Sequence, residues 1–301
     1  MQTKTIQKVI EAKMNNWLNS ITEESLKKEL KDNILVSGGS ITSMYLGEPV
    51  NDYDVYIKDI NVLKRVAEYY CKPFDNIKLL DGRLKNNYVA DYNKEHLGVA
   101  DLTDAIGHKA SSLRNLKDNQ IKLYLDEKAV FLVDYLPEKE IPFRPLCFSA
   151  NAISLSDDVQ LVLRFHGDNE QIHSTYDFIH ATNYFTFKDG LVTNKAALES
   201  ILTKQLKYQG SLYPLTTIIR IRKFVKRGWN IGAGELLKVM FQISQLDLTN
   251  MDVLEEQLIG VDVAYFAQLI DALRSVKPEK LTSLYINAII DKVFNESAEI
   301  D

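Results

Sequence analysis

Long hydrophobic runs are absent, and no stretch approaches the length needed to span a bilayer. The opening "MQTKTIQKVIEAKMNNW" lacks the apolar core of a signal peptide. Cysteine is scarce: Cys71 and Cys147 stand far apart in sequence, so neither a disulfide framework nor a metal knuckle is expected. A basic excess is missing too, with 36 Lys and Arg against 41 Asp and Glu and a net charge of −5. The overall field therefore does not attract nucleic acid or an anionic membrane. No internal repeat or low-complexity segment is found. These absences lead to the expectation of a chain in a reducing cytoplasm, with no membrane partner.

What is present is the balance of a folded protein: 46% hydrophobic and 26% charged residues in a chain of 301. That length suits two domains. Ile6, Val9, Ile10, Met14, Trp17 and Leu18 recur at helical spacing. A second helix is expected from "SITEES", with Ser20 as cap and Glu23 completing a capping box. "NILVSGG" reads as a strand ending in glycines, "SITSMYLG" as a brief helix closed by Gly47, "DYDVYI" as a strand and "NVLKRVAEYYCK" as a helix. From about residue 85 the runs "QIKLYLD", "AVFLVDYL", "LCFSANAISL", "VQLVLRF" and "YDFIHATNYF" extend a mixed or antiparallel sheet. From about residue 194 helical patterns follow almost without interruption, the last two being "VAYFAQLIDALRSV" and "LYINAIIDKVF". The expected fold class is α+β: a sheet domain with flanking helices over residues 1–190, then an all-helical domain over 191–301. The boundary is placed at the "KDG" turn near Gly190.

Residues 36–56, "VSGGSITSMYLGEPVNDYDVY", hold the most concentrated chemistry. A strand that ends in Gly38 and Gly39 and leads into a helix offers backbone N–H groups with no side chain in the way, where phosphate oxygens are favoured. Ser40 adds a hydroxyl. Asp52 and Asp54, at i and i+2 of a strand, project from one face while Tyr53 points to the other. Two such acids repel unless a cation sits between them. A hard divalent ion such as Mg²⁺ takes oxygen ligands and phosphate co-ligands, linking the aspartates to the glycines.

Gly38, Gly39, Leu46, Gly47, Pro49, Asp52 and Asp54 stand in the order and spacing of a known signature. The stretch resembles that of the polymerase-β-type nucleotidyltransferases, most closely the head domain of CCA-adding enzymes and bacterial poly(A) polymerases. The family normally carries an Arg-Asp pair in the short helix, linked to its tRNA-directed members; Thr42 and Ser43 stand there instead. The resemblance implies an α+β head domain that uses Mg²⁺ or Mn²⁺ to transfer an NMP from an NTP, ATP or CTP foremost. It also implies a third carboxylate from a neighbouring strand. Asp177, in "STYDFIHATNYF", is preferred over Asp134, in "AVFLVDYLPE", because an acid in an otherwise apolar strand is costly without a cation. The structural alternative is that Asp177 pairs with an arginine such as Arg164.

His166, His173 and His180 recur every seven residues, which is no metal-binding interval, and they are expected to be structural. No Ser-His-Asp or Cys-His arrangement is readable. "YPLTTIIRIRKFVKRGWNI" places Arg220, Lys223 and Arg227 on one helical face. Pro214, Leu215, Arg220, Arg222, Phe224, Gly228 and Trp229 also resemble the neck that follows the head domain in CCA-adding enzymes. Arg220 and Lys223 are thus candidates for triphosphate or RNA contacts, with a solvated cationic face as the alternative. The expected function is NMP transfer to an acceptor hydroxyl with release of pyrophosphate. The acceptor is expected to be RNA, a tRNA 3′ end included, with a protein or small molecule as alternatives. An inactive nucleotide- or RNA-binding module is the reading from another class.

Overall fold

The computed structural model describes residues 1–74, 77–81, 120–125, 130–133, 141–248, 250, 253, 256–257 and 288. Its contacts divide the chain into two units, Met1–Thr203 and Lys204–Asp301.

The first unit opens with α1 (Thr3–Ser20), which buries Ile6, Ile10, Met14, Trp17 and Leu18, a stripe at three- and four-residue intervals. Helix α2 (Glu24–Asn33) buries Leu26 and Leu30. The expected capping box does not form. Ser20 is still the last residue of α1 and gives its hydroxyl proton to the Trp17 carbonyl, while α2 begins after Glu23 with no side-chain cap. Strand β1 (Ile34–Ser37), helix α3 (Gly39–Leu46), strand β2 (Tyr53–Ile57) and helix α4 (Ile60–Cys71) follow as the pattern predicts. Gly47 closes α3 in the left-handed conformation, φ 71°, which a residue bearing Cβ adopts reluctantly. Asp59 caps α4 by accepting from the backbone N–H groups of Asn61 and Val62.

Strands β3 (Ile77–Asp81) and β4 (Ile121–Leu125) form a separate antiparallel pair. The remaining strands are β5 (Val130–Leu132), β6 (Pro145–Ser149), β7 (Ala152–Leu155) and β8 (Val159–Val162), then β9 (Tyr184–Thr186) and β10 (Gly190–Val192). Between β8 and β9 lie the short helix α5 (Asn169–His173) and a 3-10 turn (Ile179–Ala181). Helix α6 (Lys195–Thr203) ends the unit. "LCFSANAISL" is therefore a hairpin of two strands. The sheet runs β10-β9-β1-β2-β8-β7-β6-β5, antiparallel throughout except for the parallel pair β2 and β8. This is a mixed α+β architecture.

Alternation along β1 and β2 divides their side chains between two faces. Ile34, Val36, Tyr53, Val55 and Ile57 join the main core with the apolar stripes of α1, α2 and α4. Leu35 and Tyr56 face the other side, where Ile172 closes a small cluster flanked by Val162, Phe165, Tyr176 and Tyr184. In the main core Trp17 donates its indole N–H to the Tyr70 hydroxyl, 2.8 Å.

The turn at Gly190 is real, φ 67°, but it joins β9 to β10 inside the sheet. The division between units falls instead after α6. The second unit is not purely helical either. Gln205–Leu206 (β11) pairs in parallel with Asn230–Ile231 (β12), around helices α7 (Pro214–Lys226) and α8 (Ala233–Ile243). Pro214 opens α7 at a position where its missing N–H costs nothing. The patterns "VAYFAQLIDALRSV" and "LYINAIIDKVF" lie outside the described residues, apart from the helical Ala288. Among the described residues no helix is long and apolar enough to cross a membrane.

Candidate functional site

The antiparallel register of β1 and β2 sets Ser37 opposite Asp54. The end of β1, where the glycines stand, therefore meets the start of β2, where the aspartates stand. Asp54 is half-buried on β2 and Asp52 is exposed just before the strand. Tyr53, between them, turns into the core, and burial followed by the charge of Asp158 pushes its phenol pKa up.

Gly38 adopts φ 100° and ψ −149°, a combination open essentially to glycine alone. A Cβ at Gly38 would stand 2.9 Å from Oδ2 of Asp54 and 3.6 Å from the Tyr176 hydroxyl oxygen. The missing side chain is thus what admits the Asp54 carboxylate beside the strand end. The N–H of Gly38 is already donated to the Ala181 carbonyl, 3.2 Å. The free donors expected of the glycine pair begin one residue later. Gly39 is the first residue of α3, and a Cβ there would meet nothing within 4 Å. Ser40 is only 3% exposed, and its Oγ has no hydrogen-bond partner. A buried hydroxyl left so at a helix N-terminus, beside an open space, suits an anionic ligand.

The strand end is held from beneath. Ser37 is fully buried, with Oγ 2.8 Å from the Asn183 carbonyl, 3.2 Å from that of Ala181 and 2.9 Å from Nε2 of His173. A hydroxyl has one proton to give, so with Ser37 donating to a carbonyl the imidazole presents Nε2–H to it. Burial lowers the His173 pKa to about 4, so the ring is neutral at pH 7. His173 thus holds the end of β1 as a neutral hydrogen-bond donor to Ser37. His180, 1% exposed, is stacked on Phe178 with centroids 5.8 Å apart.

Asp177 does not lie on a strand. It is 4% exposed in a bend between α5 and the 3-10 turn, because "YDFIHATNYF" becomes that turn and only the short strand β9. Asp134 lies outside the described residues. Among the described residues no three His, Cys, Asp or Glu side chains are gathered to hold a metal ion, so Asp52, Asp54 and Asp177 form no such cluster. Arg220, half-buried, and Lys223, exposed, both lie on α7 in the second unit. Thr42 and Ser43, at the positions of the Arg-Asp pair, are buried, and Thr42 donates to the His180 carbonyl, 3.0 Å. Sequence reasoning missed Ser37, His173 and Tyr176 as neighbours of the site. The only signal was their place beside residues already singled out, Gly38 and Asp177.

The profile of the Gabija anti-defense 2 family protein matches residues 8–204, more than half of the chain. The chain belongs to that family. The match ends one residue past the first unit, so the family's shared region holds the glycines, both aspartates and Tyr176. A curated relative, "Gabija anti-defense 2" of Bacillus phage SPbetaL7, is 19% identical over 249 residues, 82% of this chain. The chain spans 46% of that relative's length. Among solved structures, the Bacillus stearothermophilus CCA-adding enzyme in complex with CTP is similar at 12% identity and a TM-score of 0.38, over 86% of this chain and 52% of that one. A tRNA nucleotidyltransferase complexed with a primer tRNA and an incoming ATP analog is similar at 12% identity and a TM-score of 0.32, over 89% and 73% of the two chains.

Proposed function

We propose that this member of the Gabija anti-defense 2 family is a nucleotidyltransferase that moves an NMP from an NTP onto an acceptor hydroxyl, in the service of countering Gabija defence. The observation that carries the reading is the seating of the Asp54 carboxylate against Gly38, in a volume that any other residue at position 38 would fill. Asp52 and Asp54 are the hard oxygen donors that would hold Mg²⁺ or Mn²⁺. The buried Ser40 hydroxyl and the open approach to Gly39 fit the phosphates that such an ion would accompany. When bound, the ion supplies positive charge against the phosphates and the leaving group.

The chain's own part is positional. Gly39 and Ser40 would receive phosphate oxygens at the start of α3, and the two aspartates would hold the ion. The net change joins the acceptor oxygen to the α-phosphorus, breaks its bond to the bridging oxygen, and releases pyrophosphate and the acceptor's proton. Arg220 and Lys223 are proposed as a cationic surface of the second unit for a polyanion, triphosphate or RNA. The acceptor is assigned to a component of the Gabija-defended cell. Thr42 and Ser43 are consistent with this, since buried hydroxyls occupy the places linked to tRNA-directed relatives.

A second reading, a binding module without chemistry, draws on the lack of a three-carboxylate cluster among the described residues. One assay separates the two. Purified protein is given each α-labelled NTP with Mg²⁺, and either total RNA or extract from cells with and without a Gabija system. Label is expected in one acceptor fraction and is expected to vanish with Asp52→Ala plus Asp54→Ala. Transfer that survives the double substitution sinks the metal assignment, and no transfer to any fraction favours the binding module.

A further inference from the structure

Asp54 shares its side of the sheet with Tyr56, Leu35 and Ser37, by alternation along β2 and by the pairings Leu35↔Tyr56 and Ser37↔Asp54. That side is the small cluster closed by Ile172 and Tyr176, not the main core. The Tyr176 ring stands 6.2 Å from that of Tyr56 and 5.4 Å from that of His173, which itself reaches Ser37. Its hydroxyl oxygen is buried and faces the same small volume above Gly38 as Oδ2 of Asp54.

The segment that delivers Tyr176 is firmly built. Gly167 has φ 117°, and a Cβ there would lie 2.2 Å from Oε1 of Gln171, so the chain passes directly under that side chain. Gln171 in turn accepts from the Asp168 N–H at 3.0 Å while Asp168 accepts from the Gln171 N–H at 2.9 Å, a complete capping box. One helical turn later the Tyr176 N–H bonds to the His173 carbonyl, 3.1 Å. A two-turn anchor of this kind fixes an aromatic side chain where a mobile loop would not.

We propose that Tyr176 is the positioning residue for Asp54: its buried hydroxyl, across the gap left by Gly38, holds the carboxylate toward the cation, in the place where a third acid was expected. The proposal rests on the nucleotidyl-transfer reading. A phenol suits the role better than a carboxylate would. It is neutral, so it adds no repulsion to the two aspartates, and it has one proton to offer one carboxylate oxygen. Metal-ligating carboxylates are generally oriented by such outer partners, whose loss weakens metal affinity by about tenfold to a hundredfold. The Tyr176 hydroxyl makes no hydrogen bond to Asp54 in this structure, and catalytic hydrogen bonds of this kind commonly close only when the complex assembles.

The test is Mn²⁺ binding, followed by electron paramagnetic resonance with and without a non-hydrolysable NTP analogue. Tyr176→Phe keeps the ring against Tyr56 and His173, so its melting temperature should stay at the wild-type value. Its Mn²⁺ affinity should fall by at least about tenfold. Asp177→Asn should leave Mn²⁺ affinity unchanged. Wild-type affinity in Tyr176→Phe overturns the proposal alone, as does loss of Mn²⁺ binding in a folded Asp177→Asn. A wild-type protein that binds no Mn²⁺ in either condition overturns both this proposal and the nucleotidyl-transfer reading.

Discussion

Alanine at Gly38 and alanine at Gly39 should fail in opposite ways, although the two residues are adjacent. At Gly38 the backbone sits at φ 100° and ψ −149°, where a side chain costs about 1–3 kcal/mol. The new Cβ would also stand 2.9 Å from the Asp54 Oδ2, so the carboxylate must move as well. Taking about 2 kcal/mol for the backbone alone, a unit of some 200 residues loses about 4–8 °C of melting temperature. Gly39 has no positive φ, lies in the first turn of α3 and has nothing within 4 Å of its would-be Cβ. Alanine there should leave the melting temperature within about 1 °C or raise it slightly, given the higher helix propensity of alanine. The same open space is where the proposed phosphate lies, so Gly39→Ala should weaken NTP binding while leaving the fold intact. Scanning calorimetry and a fluorescent-NTP titration with Mg²⁺ read the two effects separately. Equal melting temperatures for Gly38→Ala and wild type would refute the packing of Asp54 against Gly38. Undiminished NTP binding by Gly39→Ala would remove the phosphate from the start of α3.

Two further substitutions probe what lies beneath the site. His173, with a pKa lowered by burial to about 4 against 6.5 when unfolded, binds a proton in the unfolded chain but not in the folded one between those values. Its contribution is complete above about pH 6.5 and is lost as pH falls toward 4. His173→Gln should flatten that part of the stability–pH curve, and urea unfolding at several pH values in both proteins checks it. Tyr70→Phe should cost about 1–3 kcal/mol by leaving the buried Trp17 N–H without an acceptor, read as a lower urea midpoint at unchanged slope.

Local features were legible because they depend on near neighbours in the chain. The α1 stripe, the β1–α3–β2–α4 order and the αL close at Gly47 follow from periodicity and from what glycine alone allows. Misreadings occurred where local chemistry admitted two outcomes. Ser20 is a good N-cap, yet helix α1 simply continues through it, since its hydroxyl finds the Trp17 carbonyl. "YDFIHATNYF" has the composition of a strand, yet the chain turns within it, and Asp177 falls in the bend. The "KDG" turn is a hairpin turn within the sheet and no boundary, because β10 pairs back on β9.

By itself the sequence determined that glycines, a short helix and paired aspartates form one spaced unit, because the reach of a few residues of backbone leaves little freedom. Only the tertiary structure decided what surrounds that unit. The pairing of β1 with β2 sets Asp54 against Gly38, and alternation assigns Asp54 to the face that α5 and Tyr176 cover. Tyr176 is more than 120 residues from Asp54 in the chain. Side chains so distant meet only through the order in which strands pair, which no local spacing encodes.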